Sequence, residues 1–191
     1  MPRHRFPDTR DRIEQAALRL FVQKGVTDTT VRDIAHALEM SEGALYRHFE
    51  SKDDLVWQLF ERRYLALATE LQALADTASS TRERLAAMIR GFCRVHDEQP
   101  DLFHFLLFVQ HGQLSTLPDD ALTPVLAVRR VIATGIDAGE VPRQNPDLAT
   151  ALVFGVVLQP MQFAAYGRLP STMSPFSDRL VRAAWAAVTA A

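Results

Sequence analysis

Apolar residues recur every three to four positions along almost the whole chain, the spacing of one face of an α-helix. From Asp8 to Lys24, Ile13, Ala16, Ala17, Leu20 and Phe21 fall on one such face. Asp8 stands at the N-cap position, and Gly25 where a left-handed C-cap residue belongs. In TTVRDIAHAL, Val31, Ile34, Ala35 and Leu38 share a face, and Thr30 with Asp33 resembles a capping box. Glu39-Met40 makes a tight connection, and Ser41 caps a third helix of about two turns, ending at Arg47 or His48. Ser51, with Asp54 at its N3 position, caps a longer helix running to about Ala75, and TASST at 77–81 is a polar break. Prolines and glycines then bound helices near 81–98, 101–112, 119–138, 147–167 and 174–190. No stretch alternates convincingly with period two, and Asn-Gly and Asp-Gly hairpin turns are absent. The pattern predicts an all-α chain, an N-terminal three-helix unit followed by a helical bundle.

Composition changes this picture little. The chain has 191 residues, with 48% hydrophobic and 23% charged, ordinary for a folded protein. A net charge of −2 gives no global basic excess, but a local patch suffices for nucleic acid. The single cysteine, Cys93, excludes an internal disulfide and a cysteine-built zinc cluster. The run ALVFGVVLQPMQFAA from Ala151 reads as too short and too interrupted for a membrane span, and MPRHRFPDTR has no signal-like apolar core. The expectation is a cytoplasmic protein with no membrane partner.

Two short helices joined by a tight turn suggest helix-turn-helix, with SEGALYRHFESK at 41–52 as its recognition segment. A helix entering the major groove cannot be bulky over its whole outward face. Gly43 costs about 1 kcal/mol relative to Ala in a helix interior, yet lets a backbone approach a ligand closely. Ala44 is small enough either to pack inward or to touch a thymine methyl, while Leu45 and Phe49 read as the inward face. Thr30, Tyr46, His48 and Lys52 are candidate phosphate contacts. Arg32, Ser41, Glu42, Gly43 and Arg47 are candidates for base edges, and Arg3 and Arg5 form an arm for a neighbouring groove. The competing reading makes Tyr46 and Phe49 core aromatics and Gly43 a packing glycine.

Residues 10–55 resemble the DNA-binding domain of the TetR family of one-component transcriptional repressors. The resemblance lies in RIEQAALRLFVQKGVTDTTVRDIAHAL followed by SEGALYRHFESKDDL; later, IATGIDAGEV and NPDLATALVFGVVLQ are similar in pattern only. It implies a homodimer that binds a palindromic double-stranded operator and releases it when a small molecule enters the C-terminal domain. It also implies phosphate contacts from Tyr46, Lys52 and Thr30. Glu42 departs from the basic or neutral residue of many relatives. It either accepts from a cytosine amino group or, the favoured reading, serves the helix dipole and faces water. The division expected is 1–52 for DNA binding and 53–191 for ligand binding and dimerisation.

DLFHFLLFVQH at 101–111 is apolar on nearly all sides, so it should be buried. With neighbouring helices it offers an apolar pocket of Phe92, His96, Phe103, Leu107, Phe108 and His111, extended by Met161, Phe163 and Tyr166. An ordinary bundle core is the alternative. Pro160 should kink its helix. His104 and His111, with Asp101 or His96, lack a recognised metal spacing, and no cofactor or metal is expected. Leu148, Leu152, Val156, Leu180, Ala184, Trp185 and Val188 supply apolar surface on the last two helices, and the resemblance implies a four-helix dimer interface from them. Such a dimer sets two recognition helices about 34 Å apart. Enzyme signatures (GxGxxG, P-loop, HExxH, GxSxG, CxxC) are missing, and Asp97-Glu98 and Asp119-Asp120 read as solvated caps beside prolines.

Overall fold

Polar caps set the boundaries of most elements. The computed structural model describes residues 8–118 and 120–190, and of residues 110–112 and 115 the backbone alone. The arm residues Arg3 and Arg5 and the side chain of His111 lie outside what is described. The described residues form α1 Thr9–Lys24, α2 Val31–Ala37, α3 Glu42–Leu45, α4 Lys52–Asp76 and α5 Thr81–Glu98. α6 Pro100–Gln113, α7 Pro124–Asp137, α8 Pro146–Ala165 and α9 Ser177–Thr189 follow, with short 3-10 turns at Leu114–Thr116 and Ser174–Phe176. No strand occurs among the described residues.

Several boundaries move from expectation for local reasons. α3 is a single turn, because the His48 N–H donates to the Leu45 carbonyl at 2.9 Å, the tighter bond that ends a helix. α7 starts at Pro124 and not near 119: Thr123 Oγ1 accepts from the Leu126 N–H at 3.1 Å, and proline in the first turn has no N–H to lose. α9 starts at Ser177, after a 3-10 turn over Ser174–Phe176. Asp8 precedes α1 without a side-chain cap. Gly25 has the positive φ of 87° that favours glycine, but its ψ of 155° lies outside the left-handed helical region.

The chain divides into two compact units, Met1–Arg63 with Asp101–Leu117, and Tyr64–Pro100 with Pro118–Ala191. This differs from a cut after residue 52, since the start of α4 is tied to α1. Arg62 pairs with Asp11 at 3.1 Å and with the buried carboxylate of Glu14, which Arg10 also approaches at 3.4 Å. α6 joins the first unit as well, where the Phe21 and Phe105 rings stack at 5.9 Å.

In the second unit α5 packs on α7, α8 and α9, and α8 packs on α7 and α9. Its core includes Leu85, Met88, Ile89, Ile132, Val153 and Val188. Asp97 is not a solvated cap. Its carboxylate accepts from the N–H groups of Met173 at 2.6 Å and Ser174 at 2.8 Å and pairs with His96 at 3.0 Å. Burial pushes its pKa up, but the bonds from Ser174, His96 and Met173 outweigh that and bring it down to about 2. Gly135 is fixed by packing: a Cβ there would lie 2.5 Å from Thr81 Cγ2 and 2.7 Å from its Oγ1. Gly135→Ala should therefore cost about 1–3 kcal/mol of stability by overpacking, read as a lower urea midpoint. An unchanged midpoint contradicts this packing.

Candidate nucleic-acid interface

Thr30 opens α2 with a complete capping box. Its Oγ1 accepts from the Asp33 N–H at 3.1 Å, and Asp33 Oδ2 accepts from the Thr30 N–H and hydroxyl, each at 2.9 Å. The Thr30 hydroxyl proton is thus committed to Asp33 and would have to turn to meet a phosphate. Ser41 Oγ accepts from the Ala44 N–H at 3.2 Å and starts α3. At the start of α4, Ser51 Oγ accepts from the Asp54 N–H at 3.0 Å, and Asp54 accepts from the Glu50 N–H at 2.9 Å.

Inward and outward faces separate cleanly. Ile34, Ala35, Leu45 and Phe49 are buried, and the Arg10 guanidinium lies 5.1 Å from the Phe49 ring centroid. Ser41, Glu42, Gly43, Tyr46, Arg47 and Arg32 are exposed, while Ala44 and His48 are half-buried. Tyr46, at 49% exposure, is not a core aromatic. A Cβ built on Gly43 meets nothing within 4 Å, so no packing inside the chain requires glycine there.

Lys52 is not a free cation at the start of α4. Its Nζ donates to the carbonyls of Val26 at 2.9 Å and Thr27 at 3.1 Å, across the turn between α1 and α2. Thr29 Oγ1 donates to the Gly25 carbonyl at 2.8 Å in the same turn. The first and last parts of the motif are therefore joined by one ammonium.

Residues 13–59 match the family described as bacterial regulatory proteins, tetR family. Over these residues the chain is similar to the tetR family. The chain is 37% identical over 106 residues to the HTH-type transcriptional regulator AcrR of Shigella flexneri, covering 53% of this chain and 48% of the relative. It is 37% identical over 79 residues to the HTH-type transcriptional repressor KstR2 of Mycolicibacterium smegmatis, covering 41% and 38%. The chain thus spans about half the length, or less, of these curated relatives. The fold likeness extends further. The ketosteroid transcriptional regulator KstR2 of Mycobacterium tuberculosis superposes with a TM-score of 0.77 over 97% of both chains at 20% identity. The TetR-type all-α fold, helix-turn-helix first and helical bundle after, therefore holds over nearly the whole chain.

The remaining candidate residues fall in places the sequence did not separate. Phe92, His96 and Met161 are buried in the second unit, with Phe92 edge-on to Phe154 at 5.7 Å. Phe103 is buried and Leu107 half-buried in the first unit. Phe108 is 42% exposed and lines a cavity of about 340 Å³ together with Phe21 and Phe105 in that unit. Phe163 and Tyr166 are exposed, and the Tyr166 hydroxyl accepts from Gln162 at 2.9 Å. The Phe21 and Gly25 walls of the cavity were missed, since nothing in the sequence tells which helix α6 lies against.

The dimer candidates divide too. Leu180, Ala184 and Val188 are buried, because the apolar stripe of α9 is taken up by α5 and α8 of its own unit. Trp185 is half-buried, with the Arg82 guanidinium 6.0 Å from its ring. On α8, Ala149, Val153, Val157 and Met161 are buried, while Leu148, Leu152, Phe163 and Tyr166 form an exposed apolar stripe opposite, with Val156 half-buried beside it. The helix runs unbroken through Pro160. It is 20 residues long and, contrary to expectation, apolar and long enough to cross a membrane by length and composition. A helix that packs one face in a protein core passes the same test.

The capping box makes one pH prediction. Hydrogen bonds from the Thr30 backbone and hydroxyl, then Lys24, lower the Asp33 pKa to about 2. A carboxyl depressed in the fold stabilises it fully above its ordinary value of 3.8 and loses that effect as pH falls through about 2. Carbon-detected titration of Asp33 should show this low midpoint in the wild type and a rise toward 3.8 in Thr30→Ala. An ordinary midpoint in the wild type contradicts the cap.

Proposed function

We propose that this chain is a homodimeric, sequence-specific DNA-binding transcriptional regulator, a repressor that leaves a palindromic operator when a small, largely apolar molecule binds. The observation that carries the reading is the outward face of the recognition segment. Tyr46 and Arg47 stand exposed there, beside a Gly43 for which the fold itself has no use. Without a partner, that glycine only weakens the helix. With DNA, it lets the backbone approach the groove.

In this reading Tyr46 and His48 position the segment on phosphates, Arg32, Ser41, Gly43, Ala44 and Arg47 lie near base edges, and Glu42 serves the helix dipole and faces water. Thr30 and Lys52 act mainly by fixing the turn and the helix that present this face; a third Lys52 donor remains for a phosphate. A second copy of the chain covers the α8 stripe. Leu148 is 59% exposed, Leu152 42%, Phe163 45% and Tyr166 56%, and Gly155 in the middle of the stripe meets nothing, which allows a second helix close approach. A ligand then acts by binding better to the state whose recognition helices miss successive grooves.

The test is a titration of the pure chain on DNA from immediately upstream of its own gene and on scrambled DNA, at two salt concentrations. Selective, salt-sensitive binding with two chains per site is expected. Equal weak binding to both, with no site enriched from random DNA, contradicts the reading. The double variant Leu152→Glu, Phe163→Glu should sediment as a monomer and lose tight operator binding. A dimer mass unchanged by these charges contradicts the α8 interface.

A further inference from the structure

We propose that the cavity between the end of α1 and α6 binds a neutral aromatic molecule carrying one hydrogen-bonding group, and that its occupation weakens the hold on DNA. The inference rests on the DNA-binding reading above and places effector control inside the DNA-binding unit. The cavity, about 340 Å³, is the size of a small-ligand pocket. Its walls are mainly apolar: Phe21, Phe105 and Phe108 present rings, and valines fill between them. No Asp, Glu, Lys or Arg lines it, so a carboxylate or phosphate would lose its hydration and meet no permanent cation.

His104 is the single polar side chain in the lining. It is half-buried, its ring 4.5 Å from that of Phe108, and none of the described residues hydrogen-bonds its imidazole. Burial lowers its pKa below 6.5, partly opposed by Asp101, so it is neutral at pH 7, with one nitrogen to donate and one to accept. A hydroxyl on an aromatic ring satisfies it without adding charge.

The remaining wall is the turn that Lys52 holds. Gly25 and Val26 line the cavity, and their carbonyls are the acceptors for Thr29 and Lys52. Gly25 has no side chain, and a Cβ there would meet nothing within 4 Å, so the backbone of the turn is open to the occupant. A molecule that moves Val26 competes with the Lys52 bond and, through it, with the placement of the recognition segment.

The experiment titrates 2-naphthol onto the full chain by its fluorescence and repeats the operator titration with and without it. Two variants accompany the wild type: Val22→Trp, which fills the cavity, and His104→Phe, which keeps a ring and removes the nitrogens. Saturable binding by the wild type is expected, lost in Val22→Trp and weakened about tenfold in His104→Phe. Naphthol should raise the operator Kd of the wild type and not that of Val22→Trp. If Val22→Trp does not fold, judged by its circular dichroism, His104→Phe decides. Naphthol binding unchanged in the variants, or absent from a wild type that binds operator, overturns the proposal. A chain that binds naphthol through these residues but binds no DNA supports the site and overturns the DNA-binding reading instead.

Discussion

One ammonium holds the N-terminal motif in shape. Lys52 begins α4, yet its Nζ bonds two carbonyls 25 and 26 residues earlier, at the turn from α1 into α2. Between those points lie α2, the connection and the whole recognition segment. Closing so long a loop costs entropy, and charged hydrogen bonds to otherwise unpaired carbonyls are the kind strong enough to offset part of it. The caps at Thr30, Ser41 and Ser51 fix each helix start, but none of them spans the motif. Besides Lys52, α2 and α3 are held by Ile34, Ala35, Leu45 and Phe49, a small apolar area, and by the exposed Lys24–Asp33 pair at 3.1 Å.

The same logic extends to α1. Glu14 is buried, at 1% exposure, and is matched by Arg10 and by Arg62 of α4. Leaving it unpaired would be costly, so α4 is held to α1 as well as to the turn. α4 then continues into the second unit, where its later turns contribute Leu67, Ala68, Leu71 and Ala75 to the core. α4 is thus a single helix with residues in both units.

Much of this was legible in the sequence because it is local. The Thr30–Asp33 capping box, the apolar face of α1 and the inward Leu45 and Phe49 depend on residues within a few positions of each other, and local sequence pattern reports such relations directly. What was not legible is pairwise and long-range. Lys52 reads as a phosphate-binding cation until Val26 and Thr27 are seen beside it. Leu180, Ala184 and Val188 look as suited to a dimer as Leu148 and Leu152, and only packing shows which stripe is already covered. Phe163 and Phe108 are aromatic in sequence and exposed in the fold, which composition cannot foretell.

The measurement that tests the central claim most directly is the operator affinity of Lys52→Met across a range of salt concentrations. If the ammonium acts as a clamp, affinity falls at every salt, and the slope of log K against log salt stays that of the wild type. If its main partner is a phosphate, the slope becomes shallower by about one counterion, and that result would contradict the clamp.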